Sequence, residues 1–326
     1  RKESSAASDV YKRQIWRRWK AMDVFAVLLV ITAGAMWAGC GLAAQDFFSR
    51  SSLTPMDLTV FRMFCAGVIM MALTIARGNF VKSIRILKDH PFLLAKLSFY
   101  GIIGLMLMHW TYFASIEAGN AAAATVIQYT CPAIVILWTS FRKGRLPGTA
   151  EAASVILAIG GVFLLVTGGN LDRIMVPADC IWLGLASAVF FAVCAVYPKN
   201  LMAFPDGSFV LSIGMFCGAA AAFAADPVTD IGAFFHRDII MDIFWIVICG
   251  TVVAFTCYNA GLRRLTETEA SVTATVEPAI SVIASYFLFS EMFNVFQAVG
   301  IILILAAIAA PGSEHMLKKR LGFQHK

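Results

Sequence analysis

The sequence predicts an all-α polytopic membrane protein of about ten transmembrane helices, arranged as two inverted five-helix repeats. Three observations predict it. The 326 residues are 60% hydrophobic and 14% charged, with mean hydropathy +0.78, whereas soluble domains carry roughly 25% charged residues. Apolar stretches recur along the chain, each near the about 20 residues that a helix needs to cross ~30 Å of hydrocarbon. The third observation is an internal repeat with an odd number of spans. Such a repeat enters the bilayer from opposite faces in its two copies.

The first span, 23–45, follows a basic cluster (Lys12, Arg13, Arg17, Arg18, Lys20) and precedes Ser51-Ser52. The second, 56–76, lies between Pro55 and Gly78-Asn79, and the third, 91–114, runs toward Gly119-Asn120. The fourth, 121–141, holds a mid-span Pro132 and stops at Gly144; the fifth, 151–168, lies between Pro147-Gly148 and Gly168-Gly169-Asn170. These are turn and breaker residues. The sixth and seventh, 179–201 and 207–225, are parted by Pro205-Asp206-Gly207. The eighth, 241–262, ends at Arg263-Arg264, and the ninth, 269–289, holds Pro278. The tenth, 293–311, ends at Pro311-Gly312, a helix-stop signal. No link is long enough for a soluble domain.

The division that follows is 1–22 as an N-terminal cytosolic segment, 23–170 and 178–311 as the two repeats, and 312–326 as a basic cytosolic tail. Residues 1–14 lack an initiator Met and read either as non-native translated adaptor sequence or as a basic cytosolic tail. No cleavable signal peptide is expected, because the first apolar segment is too long for an h-region and further spans follow.

The net charge of +6 is distributed as topology marks. Lys and Arg gather at 12–20, at Arg77, Lys82, Arg85 and Lys88, at Arg142, Lys143 and Arg145, at Arg263 and Arg264, and at Lys318, Lys319 and Arg320. The intervening links are poor in base. The positive-inside rule then predicts both termini in the cytoplasm. The expected location is the cell (inner) membrane, with lipid as a partner and nucleic acid as none. The eight cysteines lie in or beside apolar stretches and read as core residues.

The repeat is visible residue by residue. At an offset of 146 (278 − 132), Tyr112 meets Tyr258, Ala124 meets Ala270, Pro132-Ala133-Ile134 meets Pro278-Ala279-Ile280, and Phe141 meets Phe287. Earlier in each half, Met63-Phe64-Cys65 matches Met215-Phe216-Cys217. Inverted repeats of this kind are typical of secondary transporters, with the substrate site at the repeat interface near the midplane.

The layout resembles the EamA-type proteins of the drug/metabolite transporter superfamily. Gly34 through Gly39 resembles that family's aromatic-Gly motif in the first helix, and Phe61-Arg62 its aromatic-Arg pair in the second. Ala124–Pro132 and Ala270–Pro278 resemble its small-residue runs ending in a mid-helix Pro, and Ser290-Glu291 its Gly-Glu pair before the last helix. The resemblance covers residues from about 22 to 311 and implies export or exchange of small metabolites, often amino acids or their derivatives. Two positions depart from it: Gln45 stands where the family has Lys, which Lys199 keeps in the second half, and Arg145 stands where it has Glu.

Candidate functional residues are the polar groups inside the spans, since these are costly unless they face a cavity or partner. Glu277 reads as a substrate-amine contact or protonatable coupling group, or else as a protonated carboxyl bonded to a neighbouring helix. His109, of a type that titrates near neutral pH, is a second coupling candidate. It sits with Trp110 and Tyr112 near the end of the third span, where an interfacial aromatic belt is the other reading. Gln128 and Tyr129, and Tyr258 and Asn259, are candidate substrate hydrogen-bonders or interhelical bonds. Trp37 is a candidate cavity wall or else a membrane-packed Trp. Pro132 and Pro278 are candidate hinges or cavity-shaping kinks, or else structural kinks with no gating role. Arg62 is expected to pair with Asp57 or Glu117, the other reading being attraction of anionic groups at the outer mouth. Gly214-x-x-x-Gly218 suits close helix packing and allows a homodimer contact.

No His-Glu-x-x-His, Gly-x-Ser-x-Gly or phosphate-loop pattern is found, so no catalytic residues, no metal and no cofactor are expected. The reading is a secondary transporter, an exporter, of small metabolites such as amino acids or amines, working by alternating access around a midplane cavity. The alternative is a membrane-embedded enzyme or a receptor or scaffold without transport.

Overall fold

The computed structural model describes residues 24–170, 174–197, 201, 204–265 and 267–320, with the backbone alone at 267–268, 271–272 and 309–320. The N-terminal segment 1–22, Lys199 and residues 321–326 lie outside the described residues.

Among the described residues the apolar stretches fold as ten helices. We label them α1 (Val24–Arg50), α2 (Pro55–Ala76), α3 (Phe92–Ala118), α4 (Ala121–Arg142), α5 (Thr149–Thr167), α6 (Ala178–Val196), α7 (Gly207–Ala225), α8 (Ile240–Leu262), α9 (Glu267–Ala274 continued by Val276–Phe289) and α10 (Val295–Arg320). The first eight are each long and apolar enough to cross a membrane, and the last two contribute shorter apolar segments. The outer faces are apolar as lipid requires: Trp138, Phe141, Trp182 and Phe287 all point away from the bundle.

The two halves break their helices at equivalent places. α4 is interrupted after Gln128 and α9 after Ala274, which are 146 residues apart. The cause is Pro132 and Pro278. Proline has no N–H for the carbonyl four residues back, so the Gln128 and Ala274 carbonyls lose their helical partners. A second pair of equivalent features is a wide π turn within α3 (Tyr100–Met106) and within α8 (Trp245–Val253). Shifting the first by 146 gives 246–252, inside the second. Such turns leave carbonyls free for other partners.

Close backbone approach fixes how the helices cross. α2 and α7, equivalent in the two halves, pack together, and the Ser212 hydroxyl donates to the Gly67 carbonyl at 2.8 Å. α5 and α10 cross with Gly161 against Gly300, while the Ser154 hydroxyl donates to the Ala307 carbonyl at 2.6 Å. Gly101 of α3 lies on the backbone of Gly214, and Gly218 packs on the Gly101 carbonyl. Both glycines of the Gly214-x-x-x-Gly218 pattern are thus used inside the chain.

Several boundaries move. The third span runs to Ala118 rather than 114, which puts His109 and Tyr112 more than a turn further from its end. The sixth helix ends at Val196 rather than 201. The last helix does not stop at Pro311-Gly312 but continues to Arg320. A proline removes one intrahelical bond yet leaves the next turn able to form. Between α2 and α3 a short amphipathic helix, Phe80–Asp89, lays Phe80, Ile84 and Leu87 on the core and exposes Lys82, Arg85 and Lys88. That is the pattern of an interfacial helix.

Candidate functional site

Glu277 is the second residue of the Val276–Phe289 half-helix and is only 7% exposed. Its position follows from the break: the free N–H groups at the start of a half-helix favour a negative group there. The Tyr129 hydroxyl, at the matching break in α4, donates to Glu277 Oε2 at 2.7 Å. The same hydroxyl lies 3.1 Å from the Ala274 carbonyl oxygen, the acceptor released by Pro278. One hydroxyl hydrogen therefore faces two acceptors. An ionised Glu277 takes that hydrogen. A protonated Glu277 donates its own to Tyr129 and frees the Tyr129 hydrogen for Ala274. The geometry accommodates both protonation states without rearrangement.

Other groups converge on this junction. The Tyr112 hydroxyl bonds Thr125 Oγ1 at 2.8 Å and lies against Gly41, where a Cβ would collide with it. Arg62, Tyr112, Tyr129 and Cys40 all lie within electrostatic reach of Glu277. Trp37 packs on Tyr258 at 5.2 Å and Phe255 at 5.5 Å, and Tyr258 in turn lies within electrostatic reach of Tyr129. Trp37, Tyr112, Tyr129, Tyr258 and Glu277 thus form one aromatic-lined polar cluster.

Arg62 departs from the expected ion pair. Asp57 is occupied in the capping box of α2 with Thr54, and Glu117 is exposed. Arg62, 4% exposed, instead turns inward: Nε donates to Thr251 Oγ1 at 2.9 Å, a second nitrogen reaches the Gly250 carbonyl at 3.4 Å, and the guanidinium lies 5.2 Å from the Phe113 ring centre. Thr251 and Gly250 belong to the π turn of α8, whose spare carbonyl makes this possible. No carboxylate pairs with Arg62 among the described residues.

Three predicted site residues stand apart from the cluster. Gln128 is committed to α6: its amide donates to Ser187 Oγ at 2.5 Å, and Ser187 donates to the Met108 carbonyl at 3.2 Å. His109 is buried beside Phe113 rather than at an interface. It reaches toward the Leu105 carbonyl one turn back, without a well-formed hydrogen bond on Nδ1. Asn259 is exposed and lines a cleft at the other end of α8.

Residues 24–167 and 179–310 match the EamA-like transporter family. The chain belongs to that family. It is a membrane transporter, whose natural partners are a small-molecule substrate and lipid. It is 28% identical over 284 residues to the uncharacterized inner membrane transporter YicL of Salmonella typhimurium, covering 86% of this chain and 93% of that one. It is 25% identical over 200 residues to the aromatic amino acid exporter YddG of Ancylobacter novellus, covering 61% of this chain and 66% of that one. With YedA of Escherichia coli K12 the identity is 22% over 276 residues, 80% of this chain and 83% of that one. A crystal structure covering 91% of this chain and 98% of its own shares the fold, with TM-score 0.63 at 19% identity.

The two ends of this EamA-like bundle differ. At one end, a cleft of about 470 Å³ opens between α2, α7 and α8. It is lined by Arg77, Asn79, Asp206, Thr256, Asn259 and Arg263, among others. Asp206 is held there by Arg77 and Asn79, each at 3.4 Å. At the other end, Gln45 closes a latch. Its amide donates to Glu291 Oε1 at 2.7 Å, and its carbonyl accepts from the Ala121 N–H at 2.7 Å. Burial holds the Glu291 carboxyl above the usual carboxylate range, against the opposing effects of the Gln45 amide and the Ser285 hydroxyl. Gln45→Ala removes both bonds and is expected to cost about 1–3 kcal/mol. A lowered midpoint of thermal unfolding in detergent checks it, and an unchanged midpoint contradicts the latch.

Proposed function

We propose that this EamA-like transporter exports small amino-bearing metabolites, amino acids or amines, across the inner membrane by alternating access between its two repeats. The observation that carries the reading is the Tyr129–Glu277 bond. It joins a buried carboxylate of the second repeat to the first repeat, at the two points where proline breaks the helices. A carboxylate there can hold either an ammonium group or a proton, so the two compete for one site. The aromatic neighbours Trp37, Tyr112 and Tyr258 suit the face of an organic cation. The name of the YddG relative supports the amino-acid class.

The difference between the ends supports a direction. The links rich in Lys and Arg favour a cytoplasmic position for the cleft end, with Arg77 and Arg263, and for both termini. The cleft is open and the Gln45 latch is closed, which corresponds to an inward-facing state ready to load. Pro132 and Pro278 would serve as hinges when the repeats rock and the latch opens. His109 would serve as a second proton-carrying group beside Arg62. The chain would act as a transporter and not as an enzyme.

The test is flux in liposomes holding the purified full chain, with a panel of labelled amino acids and amines. Expected are saturable exchange of at least one amine-bearing compound and its stimulation by a proton gradient. Absence of exchange across the whole panel, or transport confined to compounds lacking an amine, contradicts the reading. Tyr129→Phe removes a hydrogen bond to a charged group, worth about 1.5–3 kcal/mol, and is expected to weaken apparent affinity roughly tenfold or more with the fold intact. An unchanged KM contradicts it.

A further inference from the structure

The half-helix Val276–Phe289 buries one polar face. Glu277, Ser281 and Ser285 follow one another at four-residue spacing, and both serines are 0% exposed. The Ser281 hydroxyl has no hydrogen-bond partner among the described residues, and Ser285 Oγ and Glu291 Oε2, buried at the end of the same line, lie within reach of each other without a well-formed hydrogen bond. Of the eight buried polar atoms without a well-formed bond among the described residues, three fall on this one line. Buried hydroxyls without partners are costly, so close packing alone does not account for them; alanine would pack as closely without that cost.

The line joins two carboxyls. Glu291 is folded back over the end of α9, its N–H reaching the Ser285 carbonyl at 3.4 Å. One of its oxygens is anchored by Gln45, as one oxygen of Glu277 is anchored by Tyr129. Residues four apart on a helix are separated by about 6 Å along its axis, a gap that one water bonded to both hydroxyls spans. The face lies against α1 and the first half of α4.

We infer that this face of α9, from Glu291 through Ser285 and Ser281 to Glu277, is the path by which protons reach the polar core from the latch end. The inference rests on the coupling role proposed for Glu277 and adds its route. A proton leaves the Glu291 carboxyl and passes along hydroxyls and bridging water, each oxygen accepting one proton and releasing another. It ends on the Glu277 carboxylate, which becomes a carboxyl, and Glu291 is reprotonated from bulk water. The groups facing Glu277 are Cys40 from α1, Arg62 from α2, Tyr112 from α3 and Tyr129 from α4. They set how tightly the proton is held. Substrate would load through the cleft while protons arrive from the opposite end, which is the arrangement that export driven by proton influx requires.

The test needs no substrate. The full chain is placed in liposomes with the latch end outward and the interior held alkaline, and the outer pH is stepped down in the presence of dicyclohexylcarbodiimide. This reagent modifies protonated buried carboxyls, and the Glu277 adduct is read by peptide mass. The expected result is adduct formation that rises as the outer pH falls, slowed about tenfold by the loss of hydroxyl bridges in Ser281→Ala/Ser285→Ala. Ser281→Thr/Ser285→Thr, which keeps the hydroxyls, retains the wild-type rate. With equal pH on both sides, all variants reach the same final extent. Adduct formation that ignores the outer pH, or an alanine variant as fast as wild type, overturns the path and leaves the transport reading standing. No Glu277 adduct at any pH overturns both the path and the coupling role.

Discussion

Glu277→Gln is expected to abolish proton-dependent flux while leaving the protein folded. The amide matches the carboxyl in shape and can still accept the Tyr129 hydrogen through its carbonyl oxygen, so the bond between repeats persists. What it cannot do is take up a proton or balance an ammonium group. Losing a charged partner costs about 2–3 kcal/mol, which is roughly 30- to 150-fold in apparent affinity. Stability should not fall, because burying a neutral amide is cheaper than burying a carboxylate. The measurements are flux against outer pH in liposomes and thermal unfolding of the same preparation. Full pH-dependent flux in Glu277→Gln removes Glu277 from the mechanism. Lost flux with a collapsed unfolding midpoint would instead make Glu277 a packing residue.

Gly101→Val is expected to destabilise the fold by about 3 kcal/mol, the largest stability effect anticipated for a single change. A Cβ at position 101 would lie 2.8 Å from the Gly214 carbonyl carbon and 2.9 Å from its Cα, and closer still to the carbonyl oxygen. These are backbone atoms of α7 and cannot swing aside like a side chain, so α3 and α7 must separate. Gly160→Ala is the control: nothing lies within 4 Å of its added Cβ, and alanine favours the helix by about 1 kcal/mol. Thermal unfolding in detergent should separate the two variants clearly. Equal midpoints would mean that the α3–α7 contact does not hold the halves together.

Much of this architecture is written in the chain. Apolar length sets the helices, and the offset of 146 residues carries the duplication, because each half must rebuild the same buried faces. Glu277 stands out because a carboxylate in an apolar run is expensive, and Pro132 and Pro278 mark the breaks because a missing N–H acts wherever it is placed. The rest depended on contacts distant in sequence. Arg62 looked for a carboxylate but found Thr251 and the Gly250 carbonyl, 188 residues or more away. Nothing in the apolar runs Tyr100–Met106 or Trp245–Val253 announces a π turn. Gln128 and Tyr129 are adjacent, yet a helix sets neighbours about 100° apart, so one meets α6 and the other meets Glu277. The helix Phe80–Asp89 did leave a signal: Lys82, Arg85 and Lys88 recur every third residue, which puts them on one face, although charge alone reads simply as a topology mark.

All of the mechanism assumes that the two halves face opposite ways across the bilayer. Leu146 and Met292 test this most directly. They occupy equivalent positions, 146 residues apart, in the links after α4 and α9, and are 88% and 81% exposed. Single cysteines at these two positions, probed in intact cells with a membrane-impermeant maleimide against the background of the native cysteines, should label from opposite sides. Position 292 should react from outside and position 146 only after the membrane is opened. Labelling of both from the same side would contradict the inverted arrangement and the shared site built on it.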